Sequence, residues 1–292
     1  MSKILVTGSQ GFVGQQLVPY LRQQGHSVVA LDRAPGGDIH CDVDDVTIDD
    51  LIDIDQVIHL ANTARIEPSW HHPDQYAYNN ITVTTRFFRL CQLAGVDRFY
   101  YFSSSAVYGA NETSSQTETD RLCPTNPYAI TKQAAEQMLS ALADSRHNAT
   151  QLTVIRPFTM FGETMDTGPS GLAVGRFIQA TVNGDSLTIQ GTGQQTRDFL
   201  YIKDAVATVG KMVSSDHAGG IYNLGSGTTT SIQEIADVLS SRQIYLDSRP
   251  GMEYNTRANI KKIVQLGHLP TVGILEWLEQ QKKTKFKEFI CR

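Results

Sequence analysis

The sequence predicts an α/β protein, a doubly wound parallel sheet with a smaller α/β substrate-binding C-terminal domain. Three observations predict it. Short apolar runs alternate with helical patterns of roughly 10–20 residues through the first half, the mark of right-handed βαβ units. Gly8, Gly11 and Gly14 stand between the first apolar run and the first helical pattern. The 292 residues are 40% hydrophobic, enough core for one large domain or two moderate ones.

Each element follows from its own pattern. Lys3–Thr7 (KILVT) reads as a buried strand, and 12–24 carries apolar residues at helical spacing with Gly25 as its stop. Pro19 lies inside that pattern and should kink the helix or cost stability. Strands follow at 27–31, 56–60, 98–103 and 152–156, with helices at 74–94 and 128–142 between them. In the second half 168–171 is loop-like, 172–182 and 204–213 are helical, and Leu187–Gln190 and 221–224 are short strands. Ser231 with Glu234 forms a capping box for a helix reaching about 240. Two helical patterns, about 259–266 and 272–281, precede a basic stretch at 282–287 that reads as a solvated helix end.

Composition excludes several classes. Charged residues at 19% and aromatics at 8% belong to an ordinary globular chain, not a disordered one. A net charge of −5 argues against nucleic acid as the main partner, since a phosphate polyanion wants a basic surface. No apolar run approaches the ~18–20 residues that cross a bilayer, so no membrane partner is expected. The segment opening Met1-Ser2-Lys3 lacks the apolar region of a signal peptide. Cys41, Cys91, Cys123 and Cys291 lie far apart, which suits free thiols in a reducing cytoplasm. The adjacent His71 and His72 do not share a helix face, so no metal site is expected.

The glycine cluster carries the first functional reading. Gly8 permits a tight turn, Gly11 lets the backbone approach a pyrophosphate, and Gly14 lets helix and strand pack closely. The anion would rest on the unpaired N–H groups of the helix start. Asp32, ending the second strand, stands where a carboxylate binds both adenosine-ribose hydroxyls. It would repel a 2′-phosphate and so favours NAD over NADP, a preference that Arg33 next to it weakens.

The second reading comes from Tyr128-Ala129-Ile130-Thr131-Lys132. Positions i and i+4 share a helix face, so phenol and ammonium can enter one cleft. A phenol near pKa ~10 is a poor base, and positive neighbours favour its phenolate. The pair falls one helix after Ser103-Ser104-Ser105, at a strand's carboxyl end where such sheets bind ligands.

These residues resemble the extended short-chain dehydrogenase/reductase superfamily, and more narrowly its NAD-dependent nucleotide-sugar epimerases and dehydratases. The match runs through nearly the whole chain. His59-Leu60-Ala61-Asn62 resembles the family's HLAA segment, Asn80 the start of its NVxGT segment, and Arg156-Pro157-Phe158-Thr159 its RPxN strand end. Gln195 to Phe199, Asn223 to Gly227 and Arg249-Pro250-Gly251 resemble later motifs. The resemblance implies a Rossmann-type NAD domain in 1–157 and 194–224, with a substrate cap in 158–193 and 225–292. It implies Ser104, Tyr128 and Lys132 as catalytic residues: Tyr128 the general base, Lys132 on the nicotinamide ribose, Ser104 on the reacting oxygen. For NAD it implies Gly8, Gln10, Gly11, Phe12, Val13, Gly14, Asp32, Arg33, Leu60, Ala61, Asn62, Asn80, Ser103 and Pro157, besides Tyr128 and Lys132. Asp42 and Val43 would flank the adenine, with Asp38-Ile39 a rival alignment. For the nucleotide sugar it implies Ser104, Ser105, Tyr128 and Thr159, with Arg197 and Arg249 on the diphosphate, a task that suits bidentate guanidinium. A homodimer through the 74–94 and 128–142 helices is likewise implied.

The two residues after Ser104 narrow the reaction. Family 4,6-dehydratases place Asp-Glu there and the decarboxylating relatives place Glu at the second position. This chain has Ser105 and Ala106. Alanine moves no proton, which favours 4-epimerisation: oxidation, rotation of the keto sugar and hydride return to the opposite face. A keto-sugar reductase or a dehydrogenase of another hydroxylated small molecule is the alternative, and a catalytically silent NAD-binding regulator the third. Thr159 replaces the family's usual Asn, Met252 follows Arg249-Pro250-Gly251 where Asp or Glu is usual, and Val83 replaces a common Gly.

Overall fold

The computed structural model describes residues 1–109, 115–144, 150–169, 171–217, 219–248, 255–286 and 289. In chain order, β1 (Lys3–Thr7), α1 (Gly14–Gln23), β2 (Ser27–Asp32), β3 (Ile39–His40) and β4 (Gln56–His59) open the fold. Helices α2 (Ile66–His71) and α3 (Pro73–Ala77) follow, then a π-helical segment, Tyr78–Val83, and α4 (Thr84–Leu93). Next come β5 (Arg98–Phe102), a 3-10 turn at Ser105–Tyr108, α5 (Pro127–Ala143), β6 (Gln151–Pro157), β7 (Thr159–Phe161) and α6 (Ala173–Asn183). The second half continues through β8 (Leu187–Gln190), β9 (Thr196–Arg197), β10 (Phe199–Tyr201), α7 (Ile202–Ser214) and β11 (Gly220–Leu224). It closes with β12 (Thr230–Ser231), α8 (Ile232–Leu239), β13 (Gln243–Leu246), α9 (Lys261–Val264) and α10 (Ile274–Lys283).

Seven strands form one sheet in the order β11-β6-β5-β4-β1-β2-β3. Every pairing in it is parallel. The predicted doubly wound α/β class is therefore the observed one. Its central strands are apolar along their length, as double coverage requires: Ile4, Leu5, Val57, Ile58, Phe99 and Tyr100 are fully buried. The chain leaves β1 toward β2 on one side and returns to β4 on the other. That strand-order reversal opens a crevice at the carboxyl ends of β1 and β4. One apolar cluster packs α1 and α7 on one face and runs on through α6 and α8 to Trp277 and Phe289. A second cluster holds Phe87, Phe88, Leu139 and Val154 on the other face, beneath α4 and α5.

Local rules explain the helix ends. Gly25 has φ +87°, its N–H reaches Arg22 O, and His26 N–H reaches Leu21 O, a Schellman close to α1. Ser231 and Glu234 form the reciprocal capping box. Pro19 lies in α1 without ending it. Its ring is on the exposed face, where the unpaired carbonyl of the preceding turn can meet water.

Three expectations are corrected. The single helix at 74–94 is α3 and α4 joined through the π segment. The pattern at 259–266 yields only the single turn α9. The short strands β3, β7, β9, β10, β12 and β13, two to four residues each, escaped prediction, because so few residues establish no periodicity.

Candidate active site

The glycine loop is a backbone-on-backbone contact. Gly8 has φ +71°, and a Cβ there would stand 2.7 Å from Ala61 N. A Cβ on Gly14 would stand 2.4 Å from Gly8 O, so the start of α1 lies directly on the end of β1. Gly11 is exposed, with only Gly8 O near its Cβ position at 3.3 Å. α1 begins at Val13 with no side-chain cap, leaving its first N–H groups to an anion. Phe12 and Val13 pack against the core at this turn. Asp32 closes over the loop, accepting from Gln10 N–H at 2.9 Å and Ala34 N–H at 2.9 Å. Arg33 beside it is exposed. Asp38 is held by Arg22 and Ala30 N–H, each at 2.7 Å, while the exposed Asp42 caps a short turn whose Val43 is buried.

A buried relay fixes the neighbouring loop. His59 Nδ1 meets Thr7 Oγ1 at 2.8 Å and Nε2 meets Thr84 Oγ1 at 3.2 Å. Thr7 Oγ1 also receives Ala61 N–H, and Thr84 Oγ1 donates to Asn79 O. The neutral tautomer with the proton on Nε2 satisfies all four bonds. Burial and the charge of Lys132 push the His59 pKa down to about 3. Thus Leu60, Ala61 and Asn62 are pinned against the Gly8 turn. Asn80, fully buried in the π segment, grips Thr63 through both its N–H and C=O and donates to Thr131 Oγ1 at 3.0 Å. The structure gives Asn80 this bracing task, visible in the sequence only as a motif letter.

Tyr128 and Lys132 begin α5, which Asn126 caps through Ala129 N–H. The half-buried Tyr128 ring stands edge-on to Tyr76, centroids 6.3 Å apart. Lys132 is buried. Its ammonium donates to Asn62 Oδ1 at 2.9 Å and Phe102 O at 2.5 Å, and lies 4.4 Å over the Tyr101 ring. Burial pulls its pKa down to about 7 against the opposing charge of Glu136. Ser104 follows β5 and caps the 3-10 turn through Ala106 N–H at 3.1 Å, with Ser105 half-buried at its start. The strand end and α5 are thus joined at the site.

The sequence reading missed the support beneath. Glu136, one turn beyond Lys132, receives the Ser103 hydroxyl and is clamped by Arg156 at 2.6–3.2 Å. Arg156 also donates to Tyr108 Oη, which donates to Asn223 Oδ1 at 2.6 Å. Burial lowers the Arg156 pKa, but the Glu136 bonds and charge outweigh it and hold the guanidinium charged. The i, i+4, i+8 spacing of 128, 132 and 136 was the available signal. Ser103, expected on the cofactor, spends its hydroxyl on this pair.

The backbone at Thr159 adjoins the residue that follows Arg197. Thr159 N–H donates to Asp198 O at 3.0 Å, and β7 pairs with β10. Half-buried Arg197 lies in β9 beside β12. Pro157 ends β6 opposite Leu224. Asp198 is wholly buried and receives Ser226 N–H and Oγ–H, Gly227 N–H and Ala258 N–H at 2.6–2.9 Å, tying three loops together. Arg249 lies outside the described residues, as do Met252 and Cys291.

The residues present fit a dinucleotide. The close packing at Gly8 and Gly14 sets the open Gly11 turn at the uncapped start of α1, and Asn62 Nδ2 is buried with no partner among the described residues. NAD at such a turn supplies a reversible hydride acceptor. Lys132 is tied to the loop beside that turn through Asn62 and to the end of β5 through Phe102 O, with Tyr128 one turn earlier on α5 and Ser104 two residues past Phe102.

Comparison with known proteins agrees. The chain is 31% identical to a UDP-glucose 4-epimerase of Bacillus subtilis, over 85% of this chain and 86% of that one. It is 29% identical to UDP-glucuronic acid decarboxylase 1 of Danio rerio, over 82% of this chain and 60% of the relative. The solved structure of MoeE5 in complex with UDP-glucose and NAD superposes with TM-score 0.88 at 31% identity, covering 98% of this chain and 100% of that one. The profile of the NAD dependent epimerase/dehydratase family matches residues 4–225. The chain belongs to that family and uses its cofactor, NAD.

Proposed function

We propose that the protein is a nucleotide-sugar 4-epimerase. One observation carries the reading: the two residues after Ser104 carry no carboxylate to move a second proton. Ser104 and Tyr128 face the task of moving a hydroxyl proton, with Lys132 beside them. Ser105 and the buried Ala106 bring no carboxylate after Ser104, and the nearby carboxylate, Glu136, is locked by Arg156 and Ser103. Elimination and decarboxylation need an extra acid or base, whereas epimerisation needs none. In this reading residues 1–157 and 194–224 hold the cofactor, and 158–193 with 225–292 cap the sugar nucleotide. Thr159, Arg197 and Arg249 meet its diphosphate.

The proposed assembly is a homodimer. A groove of about 680 Å³ between α4 and α5 is lined by Ile81, Leu90, Leu93, Met138 and Leu142, with Arg86 and Arg89 at its rim. Leu93 is 61% and Met138 45% exposed, a surface that a second copy would cover.

The purified protein, with no cofactor added, is tested against UDP-glucose, UDP-galactose, UDP-N-acetylglucosamine and UDP-glucuronic acid. A 4-epimer should form from one of them with no net NADH. Stoichiometric NAD(P)H consumption with a keto sugar would establish the reductase alternative instead.

A further inference from the structure

Asn62 sits between two clamped residues. Ala61 before it is held by Thr7 and lies against Gly8, and Thr63 after it is held by Asn80. Its side chain is therefore aimed by its neighbours and not by its own flexibility. Lys132 only donates, so the atom facing its ammonium at 2.9 Å is Oδ1, and Nδ2 points elsewhere. That Nδ2 is buried and has no partner among the described residues. An unmet buried donor is costly, and a rigid loop that keeps one beside a ligand cradle keeps it for an acceptor.

We propose that Asn62 is a positioning residue that holds the Lys132 ammonium through Oδ1 and offers Nδ2–H to an acceptor oxygen of the bound dinucleotide. The inference rests on the reading of Lys132 as part of the site. Other groups facing Lys132 set the background. They are Glu136 on its own helix, the Tyr101 ring and Phe102 O on β5, and neutral His59 on β4, while Arg156 on β6 pairs with Glu136 and Tyr128 lies one turn earlier on α5. Among these, only Asn62 and Phe102 accept from the ammonium. Loss of the Asn62 acceptor favours the neutral amine.

The test is NAD affinity against pH, measured by exchange with fluorescent etheno-NAD on the wild type, Asn62→Ala and Asn62→Asp. Wild-type affinity should fall as pH rises through the neutral range and Lys132 loses its charge. In Asn62→Ala the dissociation constant should rise about tenfold at pH 6, the scale of one lost hydrogen bond to a buried donor, and the pH midpoint should move down. In Asn62→Asp the dissociation constant should also rise, because the donor is gone, but the midpoint should move up, because a carboxylate stabilises the ammonium. A residue that only packs would shift neither midpoint. Wild-type affinity and midpoint in both variants would overturn the proposal and leave the cofactor reading intact. A wild type that binds no NAD would overturn both.

Discussion

Lys132 shows two residue-scale forces in opposition. Burial favours the neutral amine, while Glu136 one turn away favours the ammonium, and the outcome is a pKa near the working range, at about 7. A charge so poised can respond to a cofactor, which a solvent-exposed lysine cannot do. In the proposed mechanism Tyr128, one turn earlier, depends on that charge to act as a base. Tyr128→Phe should reduce turnover by at least about a hundredfold, the usual worth of a general base, while etheno-NAD exchange stays within a few-fold of wild type. Substantial turnover in that variant would place the base elsewhere. The tyrosine and lysine were legible because helical periodicity turns their spacing into adjacency. Asn62 was legible only as part of a motif, because nothing in its neighbours' identities says that its amide reaches Lys132, 70 positions away.

At the scale of elements, α5 acts as a ruler. Its face carries Tyr128, Lys132 and Glu136 in successive turns: the base we propose, a donor to Asn62 in the 60–63 loop, and a partner for Arg156 on β6. The Glu136–Arg156 pair is almost wholly dry, with side chains 5% and 3% exposed. Removing one partner leaves a buried charge uncompensated. Glu136→Leu should therefore cost about 3–5 kcal/mol in urea unfolding, and adding Arg156→Met should recover most of it. A double variant no more stable than Glu136→Leu alone would show that the cost does not come from the charge left behind. The π segment at Tyr78–Val83 works similarly: its wider turn sets Asn80 inward onto Thr63. The sequence pattern read that stretch as plain helix, since an extra residue in one turn leaves an apolar stripe nearly unchanged.

For the whole molecule, the sheet order matters most. Reversal between β1 and β4 brings the glycine loop, the 60–63 loop and the start of α5 to one edge. The acidic balance of the chain fits this arrangement, for a small anion is held locally by helix N–H groups and arginines and needs no basic surface. The same topology leaves the outer faces of α4 and α5 apolar in places. Sedimentation should show a homodimer at micromolar concentration, and Leu93→Asp with Met138→Asp should shift it to monomer. A monomeric wild type would refute the assembly.

Short-range patterns in the chain specify the α/β class, the glycine turn, most helices and strands, the capping box and the Tyr128–Lys132 pair. All are set by local geometry: periodicity, the left-handed backbone of Gly8 and Gly25, and the one-turn spacing of a helix. The tertiary structure alone decided the Glu136–Arg156–Tyr108–Asn223 chain, the Asp198 knot, the His59 relay and the grip of Asn62 on Lys132. Each joins residues from separate strands, helices or loops. Each exists because buried polar groups must find partners wherever the folded chain brings them, and chain distance carries no record of that meeting.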